Sequence, residues 1–88
     1  MTDAELLKKV KQMLFGSAQG TWRDDMLMLY IGEVKGFMRS AGVKEETLAS
    51  EASVGCIAVG VNDLWNYESG GARFSEYFKM RVIQLAGG

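Results

Sequence analysis

Residues 48–65, LASEASVGCIAVGVNDLW, decide how the rest of the chain is read. Eleven of these eighteen positions are apolar. On a helical wheel of about 100° per residue they separate into two stripes. Val54, Ala58, Val61 and Trp65, flanked by Ile57 and Leu64, make a face of large side chains. Ala49, Ser53, Cys56 and Gly60 make a face of small ones. Helices approach closely where side chains are small. The spacing therefore predicts a central helix over residues 45–66, packed on two sides, with Glu45 and Glu46 in its first turn where the helix dipole favours acids.

The segments around it read as helices too. Residues 22–41 carry Leu27, Tyr30, Ile31, Val34, Phe37, Met38 and Ala41 on one stripe, and Gly42 follows as a stop. Thr21 with Asp24 resembles a cap, and Asp24 and Asp25 complement the dipole. Residues 3–14 place Leu6, Leu7, Val10, Met13 and Leu14 on one face, with Lys8, Lys9, Lys11 and Gln12 outside. Thr2 and Glu5 fit a capping box there. Residues 15–20 read as a loop. Residues 67–73, with Gly70 and Gly71, read as a tight turn. A last helix over residues 75–86 has Ser75 as cap and Phe74, Tyr77, Phe78, Val82 and Leu85 buried. No stretch shows strand alternation. The expectation is an all-α fold, one small domain of four helices with helix three central.

Composition narrows the function by exclusion. With 88 residues, 48% of them hydrophobic, the chain can form one core. A chain this short buries only about two-thirds of its surface, so a partner subunit would help its stability. The formal net charge is -1 and the sequence pI near 5.3, which disfavours a general grip on nucleic acid and a polybasic membrane tether. There is no histidine, which removes the commonest acid–base group and metal ligand. The single Cys56 allows no intrachain disulfide and points to a reducing or indifferent compartment. The acidic amino end is not a signal peptide, and the apolar run over 54–64 is too short to span a bilayer.

No constellation carries catalysis, a cofactor or a metal. Asp24–Asp25 and Glu45–Glu46 are read as dipole complements before they are read as acid pairs. Cys56, on a small apolar face, is read as a structural thiol. Lys8, Lys9 and Lys11 are read as a solvated face. A helix-turn-helix at Gly42 lacks a recognition helix, because residues 48–66 contain no Arg or Lys. Gly16 and Gly20 lack the Lys-Ser/Thr of a phosphate loop. What remains is interface character. Trp22, Met26, Met28 and Leu29 lie before or off the stripe of helix two, and Tyr67, Phe74 and Tyr77 cluster around the last turn. Aromatics and methionines of this kind suit contacts between subunits.

The order of these features resembles the small helical head–tail connector (adaptor, head-completion) proteins of tailed bacteriophages and prophages. The likeness runs along nearly the whole chain. The first helix reads Leu-x-x-Val-Lys at residues 7–11, and the second opens with acids and an aliphatic block at residues 24–31. Residues 61–67, Val-Asn-Asp-Leu-Trp-Asn-Tyr, close the third. The turn at residues 68–73 is short where that family carries variable insertions. The resemblance implies a non-enzymatic subunit without cofactor. Copies would assemble as a ring between the portal and tail-completion proteins, in the bacterial cytoplasm during assembly and then at the head–tail junction of the virion. No membrane and no specific nucleic acid are implied as partners. The alternative is a prophage-encoded DNA-binding regulator or small packaging factor.

Overall fold

The computed structural model describes residues 1–16, 20, 23–66 and 74–87. Among them are α1 (Asp3–Phe15), α2 (Asp24–Ser40), α3 (Glu45–Leu48), a 3-10 turn (Glu51–Ser53), α4 (Val54–Trp65) and α5 (Glu76–Gly87). No strand occurs among the described residues, and the all-α class is as expected. The expected count of four helices is corrected to five, because the helix read over 45–66 is broken. Ser50 takes an extended backbone, φ -94° and ψ 161°. Its hydroxyl donates to the Thr47 carbonyl at 2.8 Å, and the buried Ser53 hydroxyl donates to the Leu48 carbonyl at 2.9 Å. Hydroxyls bonded to nearby carbonyls compete with the helical ladder.

The helix ends follow local chemistry. At α1 the Glu5 amide donates to Thr2 Oγ1 at 3.1 Å and the Thr2 amide donates to Glu5 Oε1 at 3.2 Å, the expected capping box. α2 begins at Asp24, two residues later than expected, after Arg23 in a left-handed conformation with φ 64°. Thr21, the expected cap, lies outside the described residues. α2 stops where Gly42 turns left-handed, φ 102°. The Gly42 amide then donates to Arg39 O and the Val43 amide to Met38 O, both at 3.0 Å. The turn expected at residues 67–73 lies outside the described residues.

α4 packs against α1, α2 and α5. Leu6 and Val10 come to the core from α1, Leu27, Ile31, Val34 and Met38 from α2, and Phe78 and Val82 from α5. Ser53, Cys56 and Gly60 of the small face are buried as expected, whereas Ala49, just past the end of α3, is exposed. A β-carbon on Gly60 would lie 2.7 Å from Phe78 Cε1 and 2.9 Å from each methyl of Val34. The fold is a slab of 36 × 33 × 18 Å, little more than two helix layers thick.

Besides Ala49, five side chains depart from the sequence reading, the first being Ala41, which lies just past the end of α2 and is exposed. Met13 is 57% exposed, with only the methyl end of its side chain reaching over Gly55 of α4. Trp65 is half-buried at the edge of the core, edge-on to Phe15 at 5.6 Å and to Tyr30 at 6.3 Å. Tyr77 is exposed, since α5 turns Phe78, Val82 and Leu85 inward. Lys11 is buried and not on the outer face. Its Nζ donates to the Gly20 carbonyl and lies 2.9 Å from Asp24 Oδ1, which ties α1 to the start of α2.

Candidate interaction surface

α2 buries Leu27, Ile31, Val34 and Met38, and that choice fixes what lies on its other side. Leu29 is 70% exposed, and Met26 is exposed beside it. Gly32 and Gly36, one and two turns further along, are exposed too, and a β-carbon on either would touch nothing within 4 Å. Around Leu29 the helix surface is therefore flat. Asp25 and Glu33 flank it, both exposed, and neither makes an ion pair among the described residues. The cations of α2 are engaged elsewhere. Lys35 lies 3.7 Å from Asp3, and Arg39 donates to Glu45 at 2.6 Å.

α5 presents a second apolar face. Tyr77, Met80 and Ile83 follow at three-residue steps on its solvent side, with Ile83 68% exposed. Lys79 and Arg81 border this ridge. Lys79 sits 3.6 Å from Glu76, and Arg81 Nη1 donates to Tyr77 Oη at 3.0 Å with its guanidinium over the ring. The helix is held by its cap. Ser75 Oγ accepts from the Phe78 amide at 3.1 Å, and Asp63 Oδ2 on α4 accepts from the Ser75 amide at 3.0 Å and hydroxyl at 2.9 Å.

Of the residues singled out in the sequence, Met26, Leu29 and Tyr77 lie on these two faces. Met28 and Phe74 are half-buried and pack against the core, Phe74 between Phe37 at 4.8 Å and Phe78 at 4.6 Å. Trp22 and Tyr67 lie outside the described residues. Met80 and Ile83 were missed. The signal for them was the i, i+4, i+7 spacing of Phe78, Val82 and Leu85, which leaves their side of the helix wet.

A groove of about 300 Å³ runs between α1 and α4, lined by Met13, Leu14, Gly55, Ala58, Val59 and Asn62. It carries no titratable side chain. Among the described residues no group of three or more Cys, Asp or Glu could hold a metal ion. Burial pushes the Cys56 thiol above its ordinary pKa, with Arg81 opposing, so the sulfur stays protonated near neutral pH. Of the three lysines on α1 only Lys8 is exposed, because Lys9 pairs with Glu51 and Lys11 is buried. Among the described residues no helix is long and apolar enough to cross a membrane. The chain matches none of the protein families, curated proteins or solved structures with which it was compared.

Proposed function

We propose that the chain is a non-enzymatic structural subunit of a phage or prophage head–tail connector, acting by ring assembly between portal and tail. The observation that supports this most is the pair of separate apolar faces, Leu29 with Met26 on α2 and Met80 with Ile83 on α5, on a domain only 18 Å thick. Exposed apolar patches on a small domain mark contacts with other proteins. A ring needs two different patches on each copy, because each interface joins one kind of patch to the other. The order of sequence features shared with head–tail connectors supplies the biological setting.

The test is binding of the purified chain to assembled portal rings encoded in the same genome, imaged by electron microscopy. The expected result is an added ring of density on the tail-facing side of the portal. Absence of portal binding overturns the proposal. Salt-dependent retention of the chain on DNA, without portal binding, replaces it with the DNA-binding regulator or packaging factor.

A further inference from the structure

We propose that copies of this chain associate head to tail, the α2 face of one copy seating on the α5 face of the next. This rests on the assembly reading above and names its contact. Charge decides the pairing. The α2 face has Met26 and Leu29 between Asp25 and Glu33, two acids without an ion-pair partner among the described residues. The α5 face has Tyr77, Met80 and Ile83 between Lys79 and Arg81, with exposed Glu76 one turn before Met80 and paired to Lys79, so its charge is net positive through Arg81. Joining α2 to α2 would set Asp25 and Glu33 against their own copies, and joining α5 to α5 would set two net positive faces together. Only the unlike pairing joins faces of opposite net charge around the apolar centre, and like-charge juxtaposition suppresses the wrong partner.

Shape agrees with charge. Exposed Gly32 and Gly36 leave a flat floor beside Leu29, and the ridge of Met80 and Ile83 is the matching relief. Helices come closest where one of them carries small residues. The contact is heterologous, so every pair leaves one α2 face and one α5 face open, and the series closes as a ring or grows as a filament. A stable interface uses about 20–30 residues a side. These faces offer far fewer, so free subunits associate weakly and only at high concentration.

The experiment uses two single charge reversals at exposed positions, Glu33→Lys on α2 and Lys79→Glu on α5. Sedimentation velocity at low salt follows weight-average mass against concentration for the parent, each variant and their equimolar mixture. The parent is expected to grow in mass with concentration, and less so as salt is raised. Each variant alone should associate at least about tenfold more weakly. The mixture should recover, because the Glu33→Lys α2 face meets the Lys79→Glu α5 face while the unchanged pair also remains available. Leu29→Ser and Ile83→Ser provide a second pair, each expected to lose association with its circular dichroism and melting point retained. A parent that stays monomeric at every concentration overturns the proposal, as does a mixture no better than its components. Portal binding that persists while the mixture fails removes this contact and leaves the connector reading. Recovery in the mixture without portal binding does the reverse.

Discussion

Gly60 on α4 meets Phe78 on α5 so closely that a β-carbon there would lie 2.7 Å from the ring edge. On its other side the same point would lie 2.9 Å from both methyls of Val34. Val34 is branched at Cβ and stiff, and Phe78 is fully buried, so neither can swing away. Gly60→Ala is therefore expected to destabilise by about 1–3 kcal/mol, although alanine is the better helix former. Gly36→Ala, in open space on α2, should instead stabilise by up to about 1 kcal/mol. Denaturant melts of the two variants check the contrast, and equal behaviour would contradict the close packing.

Asp63 accepts two hydrogen bonds from Ser75, whose hydroxyl in turn caps α5. Asp63→Ala leaves that cap without its anchor and should cost about 1–2 kcal/mol. Amide exchange should accelerate first in α5, with α1 and α2 affected only through global stability.

Lys11 and Asp24 form an ion pair screened from solvent on the lysine side. Lys11→Met strands the Asp24 carboxylate and should destabilise by about 1–3 kcal/mol, below the cost at a fully buried pair because Asp24 keeps some exposure. Lys11→Met combined with Asp24→Asn should be less harmful than the sum of the two single changes. Additive losses in a double-mutant cycle would show that the two groups do not interact.

Among the described residues, Glu5 and Glu45 are held below the ordinary carboxylate range. At Glu5 the main cause is the Thr2 backbone amide and then its hydroxyl, and at Glu45 it is the hydrogen bond from Arg39. A carboxyl that ionises more easily when folded favours the folded state above the unfolded pKa, and loses that contribution as pH falls through the folded one. Stability should therefore decline on acidification below the usual glutamate range. Glu5→Gln and Glu45→Gln should flatten that decline in melts taken as a function of pH, and an unchanged slope would exclude them as its source.

The parts legible in the sequence are those set within one or two turns. The Thr2–Glu5 capping box and the Gly42 stop are local chemistry, and both are present. The small face of residues 53–60 was legible because closeness needs small residues wherever the partner lies. The break before α4 was obscured by apolar periodicity, which outweighed the serines at 50 and 53 that end it. Lys11 lies four residues after Leu7 and three before Leu14, on the apolar stripe itself, but its partner Asp24 comes from the start of the next helix, thirteen positions away. The Asp63–Ser75 anchor spans twelve positions and has no local signature. On α5 the run of aromatics drew attention to Tyr77, whereas the spacing of Phe78, Val82 and Leu85 sets the buried side and leaves Met80 and Ile83 outside.

The anchoring of Ser75 by Asp63 makes the carboxyl end of α4 the mount for the amino end of α5. The helix is located by its cap at one end and by Phe78 beneath Gly60. A change that shifts the last turn of α4 is therefore carried through this side-chain mount to the exposed ridge of Tyr77, Met80 and Ile83, which makes that ridge a reporter on how α4 is packed.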